Sequence, residues 1–307
     1  MITPMSKFLI VLGGPTASGK TAAGIELAKA LDTEIISADS RQLYKETKIG
    51  TAVPTEEQLR EVPHHFIHSL SLADYYNASM FEQDVLSKLE ELFREKDYVL
   101  MVGGSGLYIN AVCFGIDDLP RVETSIREKL AARFKNEGLA PLQEELKRLD
   151  PESYENIDLQ NHYRVLKALE ISLQTGRPYS SFLTRQKKER DFQIIRLAVD
   201  MEREILYERI NRRVDAMIDE GLVEEVASLR EFRHTTAMKT VGYREIFRHL
   251  DGELTLDEAA DLIRRNTRKY ARKQLTWFRK NKLYEWVHPE DTPGMLEFIR
   301  KEIQKHR

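Results

Sequence analysis

A phosphate-binding loop lies near the amino terminus, directly after the apolar run at 8–12. Its sequence is Gly14-Pro15-Thr16-Ala17-Ser18-Gly19-Lys20-Thr21, which fits G-x-x-x-x-G-K-[ST] between a strand and a helix. Backbone N–H groups of such a loop surround an anion, and the start of the next helix adds its positive dipole end. Lys20 can reach the terminal phosphate oxygens, and the Thr21 hydroxyl can hold Mg²⁺. The loop predicts a di- or triphosphate ligand without specifying which one.

A carboxylate follows the second predicted strand. Asp39 comes just after the strand predicted at 34–38, beside the place where the phosphate-binding loop must lie in a parallel sheet. It could hold Mg²⁺ or act as a general base. An N-cap at the start of a helix explains the position equally well.

A third predicted strand ends in Gly103-Gly104-Ser105-Gly106. Paired glycines at a strand end let a backbone approach a ligand closely, and Ser105 supplies a hydroxyl for a phosphate or a base. A tight turn without a ligand gives the same pattern.

Two arginines lie one turn apart on a helix predicted over 202–218. Arg209 and Arg213 could clamp a phosphate, for which the guanidinium geometry is suited. The alternative is a solvated face on which they pair with Glu204 or Glu208.

A strongly basic segment occupies the carboxyl-terminal part of the chain. Nine Lys and Arg residues and no Asp or Glu occur between Arg264 and Lys282, although the net charge of the chain is −3. Tyr270, Trp277 and Phe278 interleave with these cations on a helix predicted over 255–280. A solvated helix usually mixes charge signs, so we interpret this helix as a contact with a nucleic-acid backbone.

Short apolar segments alternate with helical patterns around these sites. Strands are predicted at 8–12, 34–38, 98–102, 194–199 and 283–287, with helices at 20–31, 78–95, 202–218, 222–232 and 255–280. Alternation of this kind predicts an α/β fold with a doubly wound parallel sheet, in which ligands bind at the carboxyl ends of the strands.

Residues 118–186 break this alternation, because they are helical, charged and without a convincing strand. We therefore predict a helical insertion domain at 118–186 within a core domain formed by 1–117 and 187–307.

Composition excludes several classes of site. Cys113 is the only cysteine, which rules out internal disulfides and multi-cysteine zinc sites. No apolar run approaches the ~18 residues of a membrane span, and a cytoplasmic protein is expected. His64 and His65 have no metal-ligand partners nearby in sequence, so polar packing or the lining of a channel is expected.

Several motifs occur together in one order along the chain. Besides the phosphate-binding loop they are Asp39-Ser-Arg-Gln-Leu-Tyr44, Gly50-Thr-Ala-Val-Pro-Thr55, Val62-Pro-His-His65, Val102-Gly-Gly-Ser-Gly-Leu-Tyr108, Arg164-Val-Leu-Lys-Ala-Leu-Glu170, Arg209-Ile-Asn-Arg-Arg-Val-Asp-Ala-Met217, Val241-Gly-Tyr-Arg244 and Arg272-Lys-Gln-Leu-Thr-Trp-Phe-Arg279. On these motifs the chain resembles, from end to end, the bacterial tRNA dimethylallyltransferases (isopentenyltransferases), which have a P-loop NTPase-like core.

The resemblance implies transfer of a dimethylallyl group from dimethylallyl diphosphate to N6 of the adenosine on the 3′ side of a tRNA anticodon. The tRNAs would read codons starting with U, and diphosphate would be released with Mg²⁺ held on Thr21. In such an enzyme Asp39 is the general base and Arg213 stabilises the diphosphate, with Arg127 a second candidate. Ser105 hydrogen-bonds near the diphosphate or the base, which must leave its stack.

The resemblance also implies a set of contacts with the anticodon stem-loop by a monomeric protein that has no membrane association. These contacts are Asp39, Ser40, Arg41, Gln42, Ser105, Arg127, Tyr163, Arg164, Lys167, Lys239, Gly242, Tyr243, Arg244, Arg272, Lys273, Gln274, Trp277 and Arg279.

The chain departs from the family pattern at a few positions. Ser105 stands where Thr is common, Val53 replaces a frequent Lys, and Lys167 replaces an Arg. The segment Asn161-His162-Tyr163 is atypical before Arg164, and the eukaryotic zinc finger is absent.

Two other functions compete with this one. A P-loop kinase that phosphorylates a small molecule with ATP shares the loop, the Mg²⁺ and the Arg-bearing helix, but leaves the basic helix unexplained. A non-catalytic RNA-binding protein with a regulatory nucleotide site explains that helix but leaves Asp39 without a role.

Overall fold

The computed structural model describes residues 6–184 and 186–306 and divides the chain into two compact units. The first unit comprises Met1–Phe114 and Glu189–Arg307, and the second comprises Gly115–Lys188. The limits predicted for the helical insertion, 118 and 186, fall inside the second unit.

Six parallel strands form one sheet in the first unit, in the order β3-β2-β4-β1-β5-β6. The strands are β1 Phe8–Gly13, β2 Ile35–Ser37, β3 His64–His65, β4 Tyr98–Gly103, β5 Gln193–Val199 and β6 Glu285–Val287. With helices on both faces, this arrangement confirms the predicted doubly wound parallel sheet. Strand β3 escaped prediction because two histidines carry no apolar pattern.

Helices separate the strands of the first unit, with four of them in succession between β5 and β6, and the helices of the second unit follow one another without strands. They are α1 Lys20–Ala30, α2 Glu56–Glu61, α3 Ala78–Leu92, α4 Gly106–Phe114, α5 Thr124–Glu137, α6 Ala140–Leu149, α7 Pro151–Asn156, α8 His162–Thr175, α9 Arg203–Asp219, α10 Leu222–Ser228, α11 Tyr243–Leu250, α12 Leu256–Lys280 and α13 Thr292–Gln304. The helix predicted over 222–232 ends at Ser228 and continues as a short 3₁₀ turn at Arg230–Phe232.

Strand β1 is buried on both faces, which explains its continuous apolar sequence. Phe8, Ile10 and Leu12 pack into a cluster with α1 and α13. Leu9 and Val11 point to the opposite face and pack with α3, α4 and α12. The strand therefore places the loop that follows it at a fixed point on the carboxyl edge of the sheet.

The second unit has a core of its own, built from α5, α6 and α8. Leu130, Leu142, Leu146, Val165 and Leu169 are fully or almost fully buried in it. Across the described part of both units, no helix is long and apolar enough to cross a membrane.

Candidate active site

The phosphate-binding loop has the backbone shape of an anion cradle. Gly19 precedes α1 with φ 89°, and Ala17 also has a positive φ of 63°. The loop residues from Thr16 to Thr21 line a cavity of about 310 Å³ at the carboxyl edge of the sheet. Successive N–H groups in such a conformation converge on one point, so the loop is shaped for phosphate oxygens.

Lys20 is held inside its own loop. Its Nζ donates to the Pro15 carbonyl at 2.7 Å. Burial lowers the pKa of Lys20 to about 8, although the charge of Asp39 acts in the opposite direction and that of Arg213 adds to the lowering. A bound anion would favour the charged ammonium of this side chain.

Arg213 contacts the same loop from α9. Its Nη1 donates to Thr16 Oγ1 at 3.2 Å, and burial lowers its pKa while the charge of Asp39 raises it. The alternative of a solvated pair with Glu204 or Glu208 is wrong for Arg213, because this side chain is directed at Thr16 and is desolvated. Arg209 instead pairs with Glu290 at 3.2 Å.

Asp39 lies in a turn after β2. Residues 40–43 form turns, so the alternative of a helix N-cap is wrong. Its Oδ1 accepts the Arg41 N–H at 3.0 Å, which sets the orientation of the carboxylate. Asp39 lines the first cavity, where its charge acts on both Lys20 and Arg213.

A second cavity shares Thr16, Asp39 and Arg213 with the first. It has a volume of about 260 Å³. Apolar side chains and one tyrosine form much of its wall, namely Ile210, Val214, Met217, Val241, Ile263 and Tyr270. The carboxylate of Asp39 therefore lies between the cavity of the phosphate-binding loop and a cavity with a partly apolar wall.

The segment at the end of β4 supports the turn that contains Asp39. Ser105 Oγ accepts the Ser40 N–H at 2.9 Å and contacts the Ser40 hydroxyl at 3.2 Å. A Cβ at Gly103 would lie only 2.2 Å from the Ala38 carbonyl oxygen, so glycine is required for this approach of the two strand ends. Ser105 thus orients the residue next to Asp39.

Gln42, in the turn after β2, and His64, in β3, both line the first cavity. Gln42 accepts the Ser37 hydroxyl at 3.2 Å and donates to the Ala52 carbonyl at 3.0 Å. His64 bonds the Val62 carbonyl at 2.8 Å, and burial lowers its pKa. The lining of a channel, expected for the histidine pair, agrees with the place of His64.

Gln274, expected among the tRNA contacts, is almost fully buried and lines the first cavity. Only 7% of it is accessible. Its Oε1 accepts the Thr16 N–H at 2.9 Å, and its Nε2 donates to the Gly104 carbonyl at 3.0 Å. The structure therefore places Gln274 between the phosphate-binding loop and the glycine segment after β4, not on the outer surface of its helix.

Tyr243 is fully buried, and Gly242 before it is buried as well. The hydroxyl of Tyr243 donates to Glu225 at 2.6 Å, and the same carboxylate accepts the Gly50 N–H at 3.0 Å. The expected contact of this side chain with tRNA is incompatible with such burial. The apolar spacing of Tyr243, Ile246 and Phe247 was the signal in the sequence for a core position.

Several cations among the expected tRNA contacts are exposed in the first unit. They include Lys239, Arg244, Arg272, Lys273 and Arg279. Arg244 pairs with Glu245, and Arg279 pairs with Asp200 at 3.5 Å and lies over the ring of Trp286. Arg41 is partly buried and lines the second cavity with Ser40, whereas Trp277 is partly buried against Gly106.

The second unit carries an aromatic stack at the start of α8. Tyr163 is 66% exposed, and its ring centroid lies 4.0 Å from that of His162. The His162 ring stacks on the Phe134 ring, with 4.7 Å between the centroids. Arg164 is exposed and Lys167 partly so. Arg127 forms an ion pair with Glu170 at 3.4 Å within this unit.

The sequence did not indicate Glu225, and it placed Tyr270 only among the aromatic residues of the basic helix, not in the wall of a cavity. Tyr270 precedes Gln274 by one helical turn, and that spacing could have indicated a shared face. Glu225 had no local signal, because its partners lie in the distant loop at 48–50.

The oxygen atoms around Thr21 suit a Mg²⁺ ion that is bound partly by substrate phosphates, rather than a metal ion that is bound by protein side chains alone. Within 6–184 and 186–306 no group of three His, Cys, Asp or Glu residues could hold a metal ion. Thr21 and Asp39 both line the phosphate cavity. Mg²⁺ commonly binds through one or two protein oxygens together with substrate phosphates, and the residues present fit that mode.

Comparison with known proteins gives consistent similarities. The family described as IPP transferase matches residues 42–281. A protein of Bacteroides fragilis named tRNA dimethylallyltransferase 1 is 50% identical over 299 residues, covering 97% of this chain and 99% of its own. A crystal structure of the tRNA isopentenylpyrophosphate transferase of Bacillus halodurans superposes with a TM-score of 0.71 at 35% identity, covering 97% of both chains.

A eukaryotic dimethylallyltransferase structure is similar in fold, with a TM-score of 0.75 at 24% identity over 93% of this chain and 75% of its own.

Proposed function

We propose that this chain, which belongs to the IPP transferase family and is similar to proteins named tRNA dimethylallyltransferases, transfers a dimethylallyl group to tRNA. The donor is dimethylallyl diphosphate, and the acceptor is N6 of the adenosine on the 3′ side of the anticodon. The observation that carries the proposal is the shared wall of the two cavities, formed by Thr16, Asp39 and Arg213.

The two cavities receive the two reactants. The first cavity binds the diphosphate through the loop amides, Lys20 and Arg213. The second receives the adenine, because Ser40, Arg41 and Lys239 on its wall belong to the residues expected to contact tRNA. The C1 carbon of the donor and N6 of the adenine then meet beside Asp39.

Asp39 assists the nucleophile during the transfer. The lone pair of an exocyclic amine is delocalised into the ring, so N6 attacks poorly unless a proton leaves as the new bond forms. N6 forms a bond to C1, the C1–oxygen bond breaks towards diphosphate, and Asp39 accepts the N6 proton. A positioned base of this kind contributes about 10²–10⁴-fold to a rate.

The leaving diphosphate gains negative charge, which Lys20, Arg213 and the loop N–H groups stabilise. Preorganised donors of this kind are effective because they need no rearrangement during the reaction. Mg²⁺ held by Thr21 and the diphosphate would neutralise further charge.

The tRNA is bound largely through exposed cations. Arg272 and Lys273 lie on α12, and Lys239 and Arg244 lie near the start of α11. In the second unit the exposed ring of Tyr163, backed by His162, offers a surface on which an unpaired base can stack.

The deciding experiment measures transfer from labelled dimethylallyl diphosphate to unmodified tRNA in the presence of Mg²⁺, with a parallel arm that contains ATP and candidate small molecules. We expect label in the RNA without ATP, at the adenosine next to the anticodon. Phosphate transfer from ATP with no label in RNA would establish the kinase alternative. RNA binding without any transfer would favour the non-catalytic alternative.

A further inference from the structure

We propose that Gln274 is a positioning residue that holds the diphosphate-binding loop in its binding shape, rather than a contact with tRNA. The inference rests on the proposed function for the identity of the donor. It changes the assignment of a residue whose motif, on the basic helix α12, points to RNA.

The carboxamide of Gln274 uses both of its ends. Oε1 accepts the Thr16 N–H at 2.9 Å, and Nε2 donates to the Gly104 carbonyl at 3.0 Å. A main-chain N–H can only donate and a carbonyl can only accept, so one orientation of the amide satisfies both. No other uncharged side chain of this length offers this donor and acceptor pair.

Thr16 is the residue of the loop that Gln274 and Arg213 both contact. Arg213 donates to its hydroxyl at 3.2 Å, while Gln274 accepts its N–H. The threonine is therefore held by α9 through its side chain and by α12 through its backbone. Since Thr16 begins the stretch that curls around the anion, its position sets where the following N–H groups point.

The face of α12 that carries Gln274 packs unusually close to the strand ends. An added Cβ would lie 2.3 Å from Gln274 at Gly104, 2.4 Å from Trp277 at Gly106 and 2.3 Å from Phe278 at Gly13. Gln274, Trp277 and Phe278 share one helix face through their i, i+3 and i+4 spacing. This close packing of α12 depends on the absence of a side chain at the three glycines. It restricts the movement of Gln274 away from Thr16.

Neighbouring residues on the helix have a different environment. Arg272 and Lys273 are exposed, whereas Gln274 is 7% exposed. A matched pair of variants on adjacent positions can therefore separate an effect on the loop from an effect on RNA.

The test compares Gln274→Met with Lys273→Met in the full-length protein. Inorganic diphosphate with Mg²⁺ is titrated by calorimetry, unmodified tRNA affinity is measured separately, and amide hydrogen exchange is followed for peptides that contain Thr16. For Gln274→Met we expect about a tenfold weaker diphosphate affinity, corresponding to about 1.4 kcal/mol. We also expect faster exchange at Thr16 and tRNA affinity within about twofold of the parent.

Lys273→Met should show the opposite pattern, with weaker tRNA binding and unchanged diphosphate binding. If Gln274→Met does not fold, Gln274→Glu keeps the acceptor for Thr16 but loses the donor to Gly104, and it should weaken diphosphate binding at least as much. The proposal is overturned if tRNA affinity falls while diphosphate affinity stays, if both fall equally, or if neither changes. Diphosphate binding needs no tRNA, so this result is independent of whether the parent protein transfers a dimethylallyl group.

Discussion

The phosphate-binding loop and the outer face of α12, the exposed side that carries Arg272 and Lys273, both present cations. The environments of these cations differ. At the loop, Lys20 and Arg213 are desolvated, and each donates to an oxygen of the loop itself. On α12, Arg272 and Lys273 extend into solvent. A desolvated cation at a fixed position acts strongly on one ligand atom, whereas solvated cations act weakly, additively and with salt dependence. Substitution of a cation is therefore expected to affect one ligand atom strongly at the loop, but to change tRNA affinity weakly and with salt dependence on α12.

The largest effect is expected at Asp39, where the two cavities meet. Asp39→Asn keeps the acceptor for the Arg41 N–H but cannot take a proton, so we expect a fall of about 10²–10⁴-fold in kcat. Single-turnover transfer at saturating donor and tRNA measures it. The matched control is Asp32→Asn, an exposed carboxylate after α1, which should behave as the parent; a loss of tRNA affinity in Asp39→Asn would contradict the role as a base.

A slightly smaller effect is expected at Lys20. Lys20→Met removes a preorganised charge from the diphosphate, and we expect a loss of about 10²–10³-fold in kcat/KM for the donor. Lys29→Met serves as the control, because Lys29 lies near the end of the same helix with its charge paired to Glu26 and Glu61 on the surface. Equal losses in both variants would show that helix stability, not the charge at the loop, is responsible.

The outer face of α12 should respond in affinity rather than in chemistry. Arg272→Ala combined with Lys273→Ala should weaken tRNA binding about tenfold at low salt and flatten the log–log salt slope by about two, since each phosphate contact contributes about 0.9. The donor KM should stay unchanged. Arg264→Ala is the comparison, because Arg264 is already paired with Asp215 and Asp261; an unchanged slope in the double variant would remove this face from the interface.

The smallest effect is expected at Tyr243, which the structure buries. Tyr243→Phe removes the hydrogen bond to Glu225, which should lower the free energy of unfolding by about 1–2 kcal/mol and leave tRNA affinity unchanged. Thermal or urea unfolding together with a tRNA titration measures both quantities. Weaker tRNA binding at unchanged stability would restore Tyr243 to the RNA contacts.

Local patterns in the sequence were sufficient for the sheet and for the centre of the site. The run at 8–12, the glycines around Lys20 and the position of Asp39 after a strand each involve neighbours in the chain. In a parallel sheet the strand ends meet at one edge, which is why Asp39, Ser105 and the phosphate loop could be brought together before any coordinates were known. The sequence analysis did not predict the strand β3 or the helices α2, α4, α11 and α13. Strand β3 and helix α2 are too short for a clear periodicity, whereas α13, with 13 residues, was long enough to be predicted.

What the sequence by itself determined is the doubly wound fold, the anion-binding loop, the carboxylate beside it and the family. Only the tertiary structure decided which face of α12 is buried, and so that Gln274 holds Thr16 from 258 residues away while Lys273 meets solvent. It also decided that Tyr243 pairs with Glu225 in the core. The physical reason is that spacing along one helix can indicate an apolar face, but the partner of each buried polar group depends on which distant segments pack together.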